Sequence, residues 1–457
     1  MEDTIITAAL LEKYDRPGPR YTSYPTVPEW RDDFDANACL TAFDKARRHE
    51  DAPLSLYAHI PFCRSRCAYC GCNVALNAEE SVDRYIACLE AELAMTAPML
   101  APRRRVTQCH WGGGTPTFLN ESAMRRLFGA FADYFAFEPH AEIAVETNPA
   151  SVTESQMRCL RDLGFNRISF GVQDLDPAVQ QAICRNQTAS QTRAGIELCR
   201  ELGFRGINVD LIYGLPLQQE TGWRRTIDAV IAMRPDRVAI YSYAHLPARF
   251  PHQASLDGLP RPDAPQKYAL FALARQRLLD AGYAAIGMDH FALPEDELGR
   301  ALSRGALNRN FMGYTVQHAP DQIGFGASAI SEVADCYLQN LKDVDAYCSA
   351  VEQGRLPVEK GMQLSRDDVI RRWVIRKLMC AFMVDKELFE QRFGVPFDRY
   401  FSEARQALRY YEREGMISEE GRCLKITPLG SVFIRNICMV FDAYLNDRTK
   451  EIFSRTI

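Results

Sequence analysis

An α/β protein built on a parallel sheet is what this sequence predicts, and three observations predict it. Short apolar runs rich in β-branched and aromatic residues recur at 54–60, 106–111, 141–147, 166–171, 206–212 and 237–243. Between them lie longer stretches with helical period, at 79–96, 121–135, 153–163, 190–202 and 221–233. The third observation is the alternation itself. It calls for right-handed crossovers and a parallel sheet, either open and doubly wound or curled into a full or partial barrel.

The residues just after each strand point to a site. Cysteines come after the first, Gly112, Gly113, Gly114 and Thr115 after the second, and Glu146 and Asn148 close the third. Gln173 comes after the fourth, Asp210 lies late in the fifth, and Tyr243, Ala244 and His245 end the sixth. In parallel α/β folds the carboxyl ends of the strands carry the chemistry, so these groups are expected to converge on one rim.

The flanks read differently. Residues 1–50 lack the alternation, and 16–28, rich in Pro and hydroxyl side chains, read as an extended arm. From about Gly361 the pattern turns helical, at 366–382, 385–393 and 400–414, followed by a hairpin-like stretch at 417–426 and a closing helix at 429–445. That order resembles a winged helix. The expected domains are therefore an arm over 1–50, a catalytic domain over 51–360 and a mainly α-helical domain over 361–457.

Composition sets bounds. The 457 residues, 47% hydrophobic and 25% charged, supply core for about two to four domains and exclude a disordered or disulfide-stapled chain. A net charge of −5 lacks the basic field that attracts nucleic acid or anionic lipid. With no apolar run of about 18 residues, a membrane span is not expected. Glu2 and Asp3 stand where an export signal carries positive charge, so the expected compartment is the cytoplasm. Nucleic acid and membrane are thus not expected partners, and the chain reads as a monomer.

Fifteen cysteines in a cytoplasmic chain do not make a disulfide framework. Eleven are scattered and read as small buried hydrophobes. Cys63, Cys67, Cys70 and Cys72 fall inside ten residues, the first three spaced C-x3-C-x2-C directly after the first strand. Three thiolates on a four-iron cluster leave one iron open to a ligand. A structural zinc site is the rival, but it needs a second half-site, and the sequence beyond Cys72 offers none. The eight histidines include no pair at i, i+4, and His59 reads as a core histidine.

The C-x3-C-x2-C loop after a first strand resembles the signature of the radical S-adenosylmethionine (radical SAM) superfamily. Further motifs widen the likeness to nearly the whole chain: RYTSYPT at 20–26, YAHIPFCRSRCAYCGC at 57–72, WGGGTPT at 111–117, ETNP at 146–149, ISFGVQD at 168–174, DLIYGLP at 210–216 and GMDHF at 287–291. Together they resemble the oxygen-independent coproporphyrinogen III oxidases, also called dehydrogenases. Cys72 and the YTSYPT segment are marks that the related haem-chaperone branch tends to lack, and that branch, without decarboxylase activity, is the alternative reading. A winged-helix regulator with a redox cluster is a second rival, disfavoured by the low basicity.

The resemblance implies a partial (β/α)6 radical SAM barrel with an N-terminal arm and a winged-helix-like C-terminal domain. It implies an oxidoreductase of haem biosynthesis that converts two propionates of coproporphyrinogen III to vinyl groups. A [4Fe-4S] cluster on Cys63, Cys67 and Cys70 and two SAM molecules would serve it, the reduced cluster cleaving SAM to a 5'-deoxyadenosyl radical. An electron-donating reductant and an electron acceptor are the implied redox partners. By the same resemblance, Tyr57, Tyr69, Gly113, Glu146 and Ile330 contact the cluster-bound SAM, and Gly114, Thr115, Gln173, Arg185, Asp210 and Ala244 the second. Cys72 is placed near the substrate as a catalytic thiol. Arg20 and Arg309 are candidate cations for the propionates, and residues 20–26 are expected to close over the site as a cover whose removal spares the cluster.

Overall fold

The computed structural model describes residues 7–34, 36–76, 78–445 and 453–456. Six parallel strands form the centre of its sheet: β1 (Leu54–Ile60), β2 (Arg105–Gly113), β3 (Ala136–Thr147), β4 (Arg167–Gln173), β5 (Gly206–Tyr213) and β6 (Arg237–Ser242). Between them run α1 (Val82–Leu100), α2 (Glu121–Tyr134), α3 (Glu154–Asp162), α4 (Ala189–Glu201) and α5 (Glu220–Met233). Beyond β6 lie α6 (Ala264–Asp280), β7 (Ala284–Gly287) and β8 (His290–Ala292), the two strands extending the far edge antiparallel. On the near edge β9 (Asp321–Phe325) joins β1 in parallel. Antiparallel β10 (Ile330–Val333), β11 (Cys336–Asn340) and β12 (Val358–Gln363) continue outward, for twelve strands in one open sheet.

The two faces of the sheet differ in chemistry. Leu54, Leu56, Ala58 and Ile60 of β1, Ile143 and Val145 of β3, Ile168, Phe170 and Val172 of β4, and Val209 and Leu211 of β5 are buried in one core with the helices. The helices meet them with faces at helical spacing, as in Tyr85, Ile86, Leu89, Leu93, Thr96 and Leu100 of α1. Capping boxes at Thr153 with Gln156 and Thr188 with Gln191 start α3 and α4. The alternate residues on the same strands are polar and face inward, because side chains alternate along a strand. Ser55 donates to Gln108 Oε1 at 2.9 Å, and Gln108 donates to Glu142 at 2.9 Å. Arg167 Nε lies 3.1 Å from Glu142 Oε2, its N–H poorly aligned. A polar floor thus runs across β1, β2, β3 and β4.

The carboxyl-terminal region has the strand and helix order of a winged helix. Helix α7 (Arg366–Ala381) leads to β13 (Met383–Asp385), α8 (Lys386–Phe393), α9 (Arg405–Arg413) and the hairpin β14 (Ile417–Glu420) and β15 (Cys423–Ile426), with β15 between β13 and β14. The helix expected over 400–414 begins only at Arg405, after a 3-10 turn over Ser402–Ala404. The expected closing helix is broken into Pro428–Val432 and Ile434–Cys438.

The arm departs most from expectation. Residues 15–26 carry no helix, but bends at 22–25 and a positive φ at Tyr21 interrupt an extended course, helices Ala8–Tyr14 and Ala36–Arg47 flank them, and Cys39, Ala42, Phe43 and Ala46 belong to the main core. Leu11, Tyr14, Tyr21 and Tyr24 are buried in a second core with Ile370, Leu378, Phe433 and Ile437 of the C-terminal region. Arg435 is buried and donates to the carbonyls of Gly18, Pro19, Ser454 and Arg455. Tyr21 donates to Asp442 at 3.0 Å. The arm is a bolted strap and not a detachable cover.

Stability depends measurably on two of these features. Arg103, fully buried, pairs with Asp321 at 2.6 Å and donates to Ala46, Ala52 and Pro53 carbonyls. Arg103→Met leaves Asp321 charged and buried, and denaturant unfolding is expected to show a loss of about 3–5 kcal/mol. Deleting residues 7–26 removes four core side chains, each worth roughly 1.5–3 kcal/mol, so a truncated chain should melt well below the full one.

Candidate active site

The cysteine loop leaves the carboxyl end of β1. A short parallel pairing of Phe62–Cys63 with Ala75–Leu76 closes its base, and Ala75 N–H donates to Pro61 C=O at 2.8 Å. Cys63, Cys67 and Cys70 are half-buried free thiols, and Cys72 is exposed. Thr115 Oγ1 lies 3.4 Å from Cys63 Sγ, and the Cys72 N–H points at Cys70 Sγ at 3.4 Å. Cys70 and Cys72 share a hydrogen bond that pulls the Cys70 thiol well below its ordinary range and pushes Cys72 up. Of the eleven scattered cysteines nine are buried as expected; Cys423 is half-buried and Cys184 exposed.

Residues far along the chain fix this loop. His252 Nε2 lies 2.7 Å from Cys70 C=O, and Gln253 donates to Tyr69 C=O at 2.9 Å. The sequence carried no signal for either, since both sit in a segment about 180 residues away. Arg185 reaches in from beyond β4, with one guanidinium nitrogen 3.4 Å from both Cys67 Sγ and the Tyr69 hydroxyl. It also donates to Gly171 C=O and to Gln187, while its Nε is buried with no partner.

The glycine run ends β2 beside the loop. Gly113 has φ +116, and a Cβ there would stand 2.6 Å from the His59 ring. At Gly114 a Cβ would meet the Pro61 carbonyl carbon at 2.7 Å, so only glycine lets the two segments approach. Gly113 N–H donates to Glu146 Oε2 at 3.1 Å, and His110 Nε2 lies 3.1 Å from Oε1. Burial pushes the Glu146 carboxyl up, but His110 and the Gly113 N–H outweigh it and hold the carboxyl below its usual range. His59, the expected core histidine, sits between the Tyr57 hydroxyl at 3.2 Å and Asn73 C=O at 3.0 Å. Tyr57 stacks on His110 with centroids 6.0 Å apart.

Asp210 stands inside β5, three residues before its end, in a chamber shared with Glu146 and His110. It accepts from Ser169 and from Asn208, both at 2.8 Å. Burial pushes its carboxyl up to about 6 against those two hydrogen bonds. Gln173 closes β4 with φ +68 at a break in register with β5. Ala244 lies half-buried just past β6. Ile330 begins β10 beside Gly324, whose other neighbour is Tyr57, so Ile330 and Tyr57 flank one strand. Arg20 is not a free cation, being paired with Asp289, and Arg309 donates to the arm carbonyls of Arg20 and Tyr21.

The donor set fits the implied groups. Three soft thiolates on one loop suit iron. Two carboxylates facing one chamber suit cationic ligands, and the unpartnered Arg185 Nε suits an acceptor. Among the described residues no three His, Cys, Asp or Glu side chains converge on a single ion.

Asp210 gives a titration to measure. In an unfolded chain an aspartate releases its proton near 3.9, and here it holds it to about 6, so this group's contribution to stability falls as pH rises between those values. Removing a donor to the charged form raises the midpoint further. Infrared difference spectroscopy should show a carboxyl band titrating near 6 that Asp210→Asn removes and Ser169→Ala moves upward.

Comparison with known proteins agrees with this geometry. Residues 57–230 match the radical SAM superfamily model, and residues 364–433 match the HemN C-terminal domain. The chain is 42% identical to the oxygen-independent coproporphyrinogen III oxidase of Salmonella typhimurium, covering 98% of each chain. It is 41% identical to that of Pseudomonas aeruginosa, covering 100% of each. The solved structure of coproporphyrinogen III oxidase (HemN) from Escherichia coli, described as a radical SAM enzyme, superposes with a TM-score of 0.91 at 40% identity, covering 97% of this chain and 100% of that one. A three-thiol loop, a polar chamber and likeness along the whole length place this chain in the oxygen-independent coproporphyrinogen III oxidase family of the radical SAM superfamily.

Proposed function

We propose that the chain converts two propionates of coproporphyrinogen III to vinyl groups, giving protoporphyrinogen IX in haem synthesis in the cytoplasm, as an anaerobic oxidoreductase. The observation that carries this reading is a three-cysteine loop tied by Cys63 to Thr115 of the glycine run, whose Gly113 donates to Glu146 in the chamber shared with Asp210. For each propionate one hydrogen atom leaves the β-carbon, one electron passes to an acceptor and carbon dioxide departs, the remaining pair forming the C=C bond. When bound, the cluster and SAM supply an electron and a 5'-deoxyadenosyl radical.

The chain's own residues divide the work. Cys63, Cys67 and Cys70 would hold the cluster. Glu146, kept ionised by His110, would take the ammonium or ribose hydroxyls of the first SAM, with Gly113, Tyr57, Tyr69 and Ile330 around it. Gln173, Arg185 and Asp210 would take the second, with Gly114, Thr115 and Ala244 close to it. Cys72, whose field reaches Tyr57 and Glu146, would act beside the substrate. We take residues 51–360 as the catalytic domain and 361–457 as a helical domain closing its mouth, the first fifty residues tying the two together. Among the described residues no helix is long and apolar enough to cross a membrane.

Anaerobic incubation with coproporphyrinogen III, SAM, a one-electron reductant and an acceptor tests the reading. The expected result is protoporphyrinogen IX with two 5'-deoxyadenosines per porphyrinogen; haem binding without carbon dioxide release would favour a chaperone instead. Cys63→Ala, Cys67→Ala or Cys70→Ala should abolish 5'-deoxyadenosine formation. Cys72→Ser should keep iron and SAM binding yet lose most decarboxylation, and full product would reduce Cys72 to packing.

A further inference from the structure

The motif at 287–291 contains none of the residues assigned above to the cluster or either SAM, yet its His290 lines the same chamber with Asp289 behind it. Asp289 is buried and bridges two partners. Arg20 of the arm donates to its Oδ2, and His290 Nδ1 lies 2.8 Å from its Oδ1. Burial pushes the Asp289 carboxyl up, but Arg20 and His290 outweigh it and hold it far below its usual range. An ionised carboxylate only accepts, so His290 Nδ1 carries hydrogen and Nε2 is the nitrogen left for the chamber. There Nε2 lies 3.5 Å from the Tyr241 hydroxyl. The imidazole is gripped edge-on by Tyr241 and Tyr314, with centroids 5.7 and 5.2 Å away, and the Arg20 guanidinium sits 5.6 Å over the Tyr241 ring.

The chamber carries two kinds of group. Glu146 and Asp210 suit the cationic sulfonium and ammonium of SAM. Beside Asp210, across Ala239 of β6, Tyr241 offers a hydroxyl and His290 a ring nitrogen, backed by the Asp289 and Arg20 pair. An anionic substrate group finds its donors in this second set.

We propose that the Tyr241 hydroxyl and His290 Nε2 form a subsite for one propionate carboxylate of the porphyrinogen, with Asp289 and Arg20 as positioning residues. The proposal rests on the function given above and adds the residues that grip the substrate. With Nδ1 committed to Asp289, the imidazolium form presents Nε2–H to the carboxylate, and Tyr241 donates beside it. The arm thereby acts on the substrate through Asp289, without touching it.

Coproporphyrin III, the stable aromatic form of the substrate, and its tetramethyl ester serve as probes in anaerobic fluorescence titrations of the reconstituted enzyme with SAM. The wild-type enzyme is expected to prefer the acid over the ester. His290→Gln and Tyr241→Phe should each cut that preference about tenfold, the effect of one lost charge-assisted hydrogen bond, while ester affinity, cluster spectrum and SAM binding stay unchanged. Asp289→Asn, which keeps shape but not charge, should behave as His290→Gln does. Tyr241→Phe removes a single oxygen and so guards against misfolding. An unaltered preference in both His290→Gln and Tyr241→Phe overturns the subsite. A wild-type enzyme that binds neither probe and makes no protoporphyrinogen overturns the proposed function instead.

Discussion

The cross-strand hydrogen bonds on the inner face of the sheet are the constraint on which the rest of the structure depends. A sheet buried on both faces ordinarily carries apolar side chains on both. Here only the outer face does so, and the inner face carries Ser55, Gln108, Glu142, Arg167, Asn208 and Asp210. Polar groups in such a place cost free energy unless each finds a partner. The sheet supplies partners sideways, strand to strand, so the chamber wall is a linked network. Two chamber carboxylates are set into it, Asp210 between Ser169 and Asn208 and Glu146 between His110 and Gly113. The wall's hydrogen bonds favour the charged form of both, prevailing over burial at Glu146 and yielding to it at Asp210.

The second core completes the enclosure. A chamber made by an open sheet has a gap at its edges, and the arm, the segment from Ile286 to Tyr314 and the C-terminal helices bury their apolar side chains together across it. Because the strap is packed into that core, it is held to the C-terminal region and does not swing free as a loose tail.

Much of this was legible in the sequence. β1 matches its expected span residue for residue, and the other five central strands differ by a few residues, because apolar runs between long amphipathic helices leave little choice. Polar residues at period two inside those runs, such as Asn208 and Asp210 or Gln108 and His110, were the overlooked trace of the inner wall. β9 went unread because Asp-Gln-Ile-Gly-Phe is short and opens on a charge, which Arg103 neutralises from 218 residues away. The arm misled for a related reason. Pro and hydroxyl residues do specify an extended chain, but whether that chain is loose or clamped is settled by Arg435 and by buried tyrosines that local patterning does not reveal. His252 and Gln253 belong to the same class of long-range support.

One consequence lies in the order in which the chain is made. Arg435 holds Gly18 and Pro19 together with Ser454 and Arg455, and the Gly18 N–H also donates to Ser454 C=O. Gly18 and Pro19 therefore wait for residues made more than 400 positions later before they can be locked. The β1 loop and the chamber wall emerge long before that clasp can close, so throughout synthesis the nascent protein presents its three cysteines from an unsealed vessel. Delivery of iron and sulfide has its widest opening before that clasp closes.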